Sequence, residues 1–238
     1  MTVRIVLLLL VAMFLAACSG AGDAGDATPS AAEQAQAQEL LRNYDQARAD
    51  ENWEVAEATA DQLRSKFAAS AAAQKAGATL ADTRAHAERM RQARRLRGLW
   101  DYQAVAVEGG TQRSAAIYSK TVAVEEGEPL PQPDAQLVLR DHPAWGRSAY
   151  LLLAQSKFNC GKPCAVTIAF DQDPARRFAG KQADSGKGPA LFIVDEKGFI
   201  AAMGQARQVR IELPKGSGLL PALVFEVGGY DPARYAKL

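Results

Sequence analysis

Three cysteines are the residues of this chain whose chemistry can be predicted first. Cys18 directly follows the uncharged segment from Ile5 to Ala17, and that segment follows a short start containing Arg4. A positively charged start, a short apolar run and small residues at its end are typical of a secretory signal peptide. The run is shorter than the roughly 20 apolar residues that a membrane-spanning helix needs. The sequence therefore predicts export and removal of residues 1–17.

The motif Leu15-Ala16-Ala17-Cys18 resembles the lipobox of bacterial lipoproteins. The resemblance implies a diacylglyceryl group on the sulfur of Cys18, cleavage before it and acylation of the new amino terminus. Each buried methylene of such chains contributes about 0.8 kcal/mol, so several chains give a stable membrane anchor. Ser19 stands where an aspartate retains familiar Gram-negative lipoproteins at the inner membrane, which favours the outer membrane, facing the periplasm. An ordinary cleaved signal with a chance cysteine is the alternative.

Cys160 and Cys164 are the two cysteines that remain after lipidation of Cys18. In an oxidising compartment such a pair is expected to form a disulfide. The enclosed residues Gly161-Lys162-Pro163 suit a tight turn. A thioredoxin-type redox motif has two intervening residues rather than three, and a zinc site with His142 lacks the usual ligand spacing. The sequence predicts a structural disulfide, no metal and no cofactor.

Net charge excludes one class of partner. The chain has 28 basic and 27 acidic residues, and removal of the signal segment with Arg4 leaves 27 of each. A neutral chain produces no long-range field that would gather nucleic acid. We therefore expect no nucleic-acid partner.

Catalytic motifs are not recognisable in the sequence. It contains no Gly-x-Ser-x-Gly, no Ser-x-x-Lys and no phosphate-loop glycine pattern. The carboxylates Asp171 and Asp195 could form an acid–base pair of an envelope hydrolase, although turn carboxylates are usually solvated. We expect a non-enzymatic binding or assembly module with an envelope protein as its partner. The alternatives are such a hydrolase and a carrier of a small ligand or lipid.

Residues 18–30 form a tether of small and polar residues, and residues 31–98 have the composition and apolar spacing of helices. Helix breaks are predicted near Asp50–Asn52 and Ala68–Ser70, with Asn52 and Ser70 as caps. The segment is predicted to be a three-helix bundle or long hairpin. A repeat of tetratricopeptide type is the alternative that partly fits the spacing.

Five arginines lie in the last part of the helical segment, and they are the candidate interaction residues of this chain: Arg89, Arg91, Arg94, Arg95 and Arg97. They could contact anionic phospholipid headgroups beside the anchor. A solvated helix face is the alternative, because arginine is favourable near helix C-termini.

Residues 99–238 are predicted to form a β-rich domain, since short apolar runs alternate there with glycine and proline. The candidate strands are 101–108, 112–124, 135–140, 149–158, 165–171, 190–195, 207–213 and 221–228, with a short helix over 199–206. The predicted fold class is α+β: a helical hairpin or three-helix segment followed by an antiparallel β-sandwich or barrel-like domain. Arg140 is expected to be partly buried against Asp171 or Glu212, or else solvated.

An ordered series of motifs in residues 100–230 resembles the VasI-like accessory proteins of type VI secretion and related secreted β-domains. The series comprises Trp100-x-Tyr102, Leu137-x-Leu139-Arg140, Phe158-x-Cys160, Cys164 through Phe170-Asp171, Leu191-Phe192-Ile193-x-Asp195 and Phe199-Ile200. Ser156-Lys157 and Ala169 depart from the pattern. The resemblance implies a shared β fold and, less directly, an accessory role in secretion, and it implies no catalytic residues.

Overall fold

The computed structural model describes residues 30–120, 135–153, 158–160, 163–182, 189–215, 217 and 222–236. The predicted signal peptide, Cys18 and all of the predicted tether before Ser30 lie outside these residues. The chain divides into two compact units between Thr83 and Arg84. The domain boundary predicted at Gly98 stays a prediction about which segments fold independently.

Three helices account for residues 31–98, as the sequence predicts: α1 (Ala31–Ala49), α2 (Trp53–Lys66) and α3 (Ala71–Gly98). The helix α1 begins with a capping box, in which Ser30 and Glu33 each bond to the backbone N–H of the other. Within the described part of the chain, no helix combines the length and the apolar character needed to cross a membrane.

The two predicted helix caps differ in how they act. The Oγ of Ser70 accepts a hydrogen bond from the backbone N–H of Ala73 at 3.1 Å. Asn52 is the N-cap residue of α2, as predicted, but its side chain makes no capping hydrogen bond. Its backbone N–H instead donates to the carbonyl oxygen of Ala47 at 2.8 Å, which closes the end of α1.

The core of the helical unit is built mainly from alanine and leucine. Small side chains let helix backbones approach closely, and the apolar faces predicted from the spacing are the buried ones. Tyr44 is the large polar-tipped residue of this core and is 1% exposed. Its hydroxyl lies 2.7 Å from Oγ1 of Thr79 and 2.9 Å from Oγ1 of Thr83. The buried phenol is therefore satisfied within the unit.

Nine antiparallel strands form one sheet in the second unit. They are β1 (Trp100–Val107), β2 (Gly110–Tyr118), β3 (Ala135–His142), β4 (Gly146–Leu153), β5 (Cys164–Phe170), β6 (Arg176–Gln182), β7 (Ala190–Ile193), β8 (Val209–Glu212) and β9 (Ala222–Phe225). Their spatial order is β1-β2-β3-β4-β7-β6-β5-β8-β9. Eight of the nine strands lie largely within predicted segments, although β2 and β4 start two and three residues before theirs; the sequence does not predict β6. The fold class is α+β, as predicted.

The sheet curls into a half-barrel, so that the barrel-like alternative holds rather than a sandwich of two sheets. The backbone N–H of Lys120, just after β2, donates to the carbonyl oxygen of Val224 in β9 at 2.7 Å. The indole N–H of Trp100 in β1 reaches the carbonyl oxygen of Val227 at 3.3 Å. These two contacts bring the opposite margins of the sheet together.

Alternate residues of the strands fill the concave side of the half-barrel. Leu151, Ile168 and Ile211 are fully buried there, as period-two strands require. Helix α4 (Glu196–Met203) packs Phe199 against this core. The predicted short helix is confirmed, but it begins three residues before Phe199.

A hairpin of β1 and β2 extends beyond the rest of the sheet. Its turn is Glu108–Gly109, and Gly109 and the following Gly110 have positive φ angles of 86° and 144°, which favour glycine. Strand β3 pairs with β2 only from Arg113 to Tyr118. The pairs from Val105–Gln112 to Val107–Gly110 therefore form a two-stranded ribbon.

Candidate functional site

Cys160 and Cys164 form the predicted disulfide, with their Cα atoms 5.1 Å apart. Cys164 is the first residue of β5 and pairs with Gly180 of β6. A Cβ at Gly180 would lie 2.8 Å from Cγ2 of Val166 and 3.0 Å from Sγ of Cys164. Glycine at this position therefore lets the disulfide pack directly on β6. The predicted lipidation site, Cys18, lies outside the described residues.

The five arginines of α3 are partly engaged within the chain. Arg95 binds both carboxylate oxygens of Glu226, at 2.8 and 3.1 Å, and the hydrogen bonds from Arg95 lower the pKa of Glu226. Arg91 bonds to Glu88 of its own helix at 3.0 Å, and Arg94 has a partner as well. Arg95 thus ties the end of α3 to the residue that follows β9, within the second unit. Headgroup binding by Arg89, Arg91, Arg94, Arg95 and Arg97 stays a prediction.

The two carboxylates of the alternative hydrolase each have a role in the fold. Asp171, in a turn with a φ of 49°, accepts hydrogen bonds from the backbone N–H groups of Arg207 and Gln208 at 2.8–3.1 Å. Asp195 is the N-cap of α4 and accepts from the N–H of Gly198 at 3.0 Å. Each carboxylate serves a local backbone contact, and the hydrolase alternative stays a prediction.

Metal ligation has no geometric basis in the described ranges, where no cluster of three or more His, Cys, Asp or Glu side chains could hold an ion. His142 is the last residue of β3 and directly precedes the turn that begins at Pro143. Its Nδ1 accepts a hydrogen bond from the backbone N–H of Ala144 at 3.1 Å. This imidazole thus stabilises the turn.

Arg140 is partly buried, as predicted, but the predicted partners are wrong. Its guanidinium lies 5.2 Å from the ring centroid of Trp145 and 5.3 Å from that of Tyr150, rather than against Asp171 or Glu212. The reason is the register of β3 and β4, which places Arg140 opposite Ser148 on the outer face of the sheet. Nε of Arg140 and Oγ of Ser148 are both buried without a hydrogen-bond partner among the described residues.

An aromatic surface surrounds this arginine. The side chain of Trp145, at the tip of the β3–β4 hairpin, is 69% exposed and stacks on His142 with ring centroids 3.9 Å apart. Tyr150 continues the surface to Phe192 of β7, with ring centroids 5.1 Å apart. We call Arg140, His142, Trp145, Tyr150 and Phe192 together the Trp145 surface. It combines exposed apolar area with a fixed positive charge.

A cavity of about 330 Å³ opens at one end of the half-barrel, between α4 and the short helix α5 (Pro232–Ala236). We call it the mouth cavity. Its lining residues are Arg147, Ile200, Ala201, Gly204, Gln205, Tyr230, Pro232, Tyr235 and Ala236. Most of this lining is apolar, and the polar groups come from two tyrosines, one arginine and one glutamine. This composition is typical of small-ligand sites.

Tyr235 is the most buried polar residue of the mouth cavity. It is 8% exposed, and its hydroxyl has no hydrogen-bond partner in the described structure. Burial raises the pKa of Tyr235 to about 12, an effect that Asp141 increases and that Arg147 and Arg113 oppose. Burial also raises the pKa of Tyr230 to about 12. Both phenols are therefore neutral hydrogen-bond donors at ordinary pH.

The sequence gives only weak signals for the Trp145 surface and for the mouth cavity. Trp145 is a single aromatic residue in a turn, and Tyr235 lies near the end of the chain, where residues often lack partners. Arg113 is distant in sequence from Asp141 and Arg147. The pairing of β2, β3 and β4 brings them into one row.

No protein-family model and no curated protein sequence matches this chain. Among solved structures, it is similar to the crystal structure of invasion associated protein B from Bartonella henselae. The two share 15% sequence identity over 57% of this chain and 88% of the other, with a TM-score of 0.36. A similarity of this degree carries no inference about the function of this chain.

Proposed function

We propose that this protein is a lipoprotein of the bacterial cell envelope that acts as a non-catalytic binding or assembly module. The lipid on Cys18 anchors it to the outer membrane, facing the periplasm, in line with the sorting expected from Ser19. The β unit docks another envelope protein through the Trp145 surface. An accessory role in a secretion system is part of the proposal and is supported only by the resemblance of residues 100–230.

The observation that carries the docking proposal is the exposure of Trp145. An indole that is 69% exposed leaves a large apolar area in water. Tryptophan and arginine are the residue types that contribute most to binding energy at protein interfaces. Trp145 and Arg140 lie side by side here. A protein partner with an apolar pocket and a nearby carboxylate fits this pair.

The Trp145 side chain is also held in place before binding. The imidazole of His142 stacks on its ring, and the Arg140 guanidinium lies on the same indole. Side chains that are already ordered lose less conformational entropy when a complex forms.

Site-specific crosslinking in the native envelope tests this docking surface. A photoreactive phenylalanine derivative at position 145 should give one reproducible adduct with an envelope protein. The same probe at Val55, an exposed position of α2, serves as the control. Reverse capture by the identified partner should be lost with Trp145→Ala and kept with Val55→Ala. Equal adducts at both positions would refute the docking surface, and a secretion-apparatus subunit as partner would support the accessory role.

The anchor has its own test. Labelled palmitate should enter the wild-type chain, and Cys18→Ala should abolish the labelling. Fractionation of the membranes should place the wild-type protein in the outer membrane. Labelling of the alanine variant at the wild-type level would exclude lipidation at Cys18.

A further inference from the structure

The mouth cavity contains a polar group that the fold itself leaves unused. Burying a hydroxyl without a hydrogen bond costs stability, and native proteins rarely do so without a reason. The Tyr235 hydroxyl is such a group, since it is buried and has no partner among the described residues. Tyr235 lines the cavity, but its hydroxyl oxygen is covered by other atoms of the chain in the free structure, so a molecule bound there supplies the missing acceptor after a small displacement of the cavity wall.

The charges around this hydroxyl favour an anionic acceptor. Arg113 of β2 pairs in register with Asp141 of β3, which pairs in turn with Arg147 of β4. The row carries one net positive charge. Arg147 is exposed, lines the cavity and has no hydrogen-bond or ion-pair partner in the described part of the chain. Its planar guanidinium matches the geometry of a carboxylate.

The other residues that line the mouth cavity determine the size and polarity of the rest of the ligand. Ile200 and Ala201 of α4, together with Pro232 and Ala236 of α5, present apolar surface. The ring of Tyr230 closes one side and is fixed by Trp100, with ring centroids 5.1 Å apart. A cavity of about 330 Å³ accommodates a group of the size of one apolar amino-acid residue.

We propose that the mouth cavity binds a carboxylate carried on a small apolar body. Arg147 pairs with the carboxylate, the Tyr235 hydroxyl donates a hydrogen bond to it, and the apolar body lies between α4 and Tyr230. A free small acid and the C-terminal residue of a peptide share this chemistry. The site is separate from the Trp145 surface and does not depend on protein docking there.

Calorimetric titration of the full-length chain in detergent tests the site. The probes are N-acetyl-phenylalanine, its amide and a pentapeptide ending in phenylalanine with a free carboxylate. One or both acids should bind saturably, whereas the amide should bind about tenfold more weakly, because it lacks the charge. The tighter acid identifies the source of the ligand. Equal affinity for the acid and the amide, or no binding of either acid, overturns the proposal.

Three variants separate ligand binding from folding. Arg147→Gln should weaken acid binding about tenfold, and Tyr235→Phe several-fold. The control Arg177→Gln changes an exposed arginine of β6 outside the cavity and should leave the affinity unchanged. Tyr235→Phe should not lower the Tm of the free protein, because the hydroxyl makes no bond in it. A lowered Tm with unchanged affinity would assign Tyr235 a purely structural role and overturn the proposal.

Discussion

Two buried tyrosines, one in each unit, differ in how their hydroxyl groups are satisfied. Tyr44 of the helical unit is 1% exposed, and its hydroxyl bonds to Thr79 and Thr83. Tyr235 of the β unit is 8% exposed, and its hydroxyl has no partner in the described residues. The first tyrosine completes a core, whereas the second leaves a donor without a partner in the wall of a cavity. Burial alone therefore does not distinguish a structural phenol from a binding one.

The same difference extends to other buried polar atoms. Among the described residues of the β unit, the buried side-chain atoms without partners are Nε of Arg140, Oγ of Ser148 and the hydroxyl of Tyr235. The described part of the helical unit has one such atom, Nε of Arg48, but the charge of that side chain is paired with Asp82 at 3.2 Å. Of the three atoms in the β unit, one belongs to the Trp145 surface and one to a residue of the mouth cavity.

Two glycine substitutions should give the largest contrast between the units. Gly180→Ala places a Cβ 2.8 Å from Val166 in the β core, so we expect a loss of roughly 2–3 kcal/mol in unfolding free energy. Gly77→Ala in α3 meets no atom within 4 Å and should stabilise the helix by about 1 kcal/mol. Denaturant unfolding measures both. Similar changes in unfolding free energy for the two variants would contradict this difference between the units.

Removing the disulfide should act on the β unit alone. The chain-entropy relation for a ring of this size gives a loss of about 2 kcal/mol for the double variant Cys160→Ala and Cys164→Ala. The measurement is thermal unfolding followed by near-ultraviolet and far-ultraviolet circular dichroism. The helical signal at moderate temperature should stay unchanged, because the helical core contains no cysteine. Loss of the helical signal together with the β signal would contradict the prediction that the disulfide stabilises the β unit alone.

The tyrosine comparison itself can be tested directly. Tyr44→Phe removes the hydrogen bonds to Thr79 and Thr83 and should cost about 1–2 kcal/mol of unfolding free energy. Tyr235→Phe removes no bond of the free protein and should cost nothing. Chemical denaturation of both variants beside the wild type measures the difference. An equal loss in the two variants would mean that Tyr235 is bonded in solution.

The smallest expected effect concerns pH and the Arg95–Glu226 pair. The hydrogen bonds from Arg95 lower the pKa of Glu226 from its ordinary value of 4.5. A lowered carboxyl pKa adds stability above pH 4.5, which is lost as the pH falls through the lowered value. The pair is partly exposed, so we expect a contribution below about 1 kcal/mol that salt reduces. Glu226→Gln should flatten this part of the stability–pH curve relative to the wild type. An unchanged curve would show that the pair contributes nothing.

Local patterns predicted much of the fold. The helix breaks at Asp50–Asn52 and Ala68–Ser70 interrupt a clear helical periodicity, and most strands are marked by runs of apolar residues. Strand β6 was missed because its sequence, Arg176-Arg-Phe-Ala-Gly-Lys-Gln182, has one large apolar residue and is otherwise charged, polar or small. Its inward positions are Phe178 and Gly180, and a glycine gives no strand signal. Only its pairing with β5 and β7 makes it a strand.

The candidate sites could be predicted to a smaller extent. The Cys160–Cys164 disulfide followed from sequence spacing, since the two residues are close in the chain. Arg140 was singled out, but its aromatic neighbours depend on the register of β3 and β4. The mouth cavity joins residues from β4, α4 and α5. Such a site is defined by long-range pairing, which no local pattern encodes.

The ribbon at the end of β1 and β2 has a consequence for amide hydrogen exchange. A two-stranded ribbon in water has few packing contacts to hold it closed. From Val105 to Gln112 its residues are exposed or only partly buried. Its amides should therefore exchange through local opening, well before those of Ala115 and Ile117 in the same strand, which lie in the core. Strand β2 should accordingly show a steep gradient of protection factors along a single run of backbone.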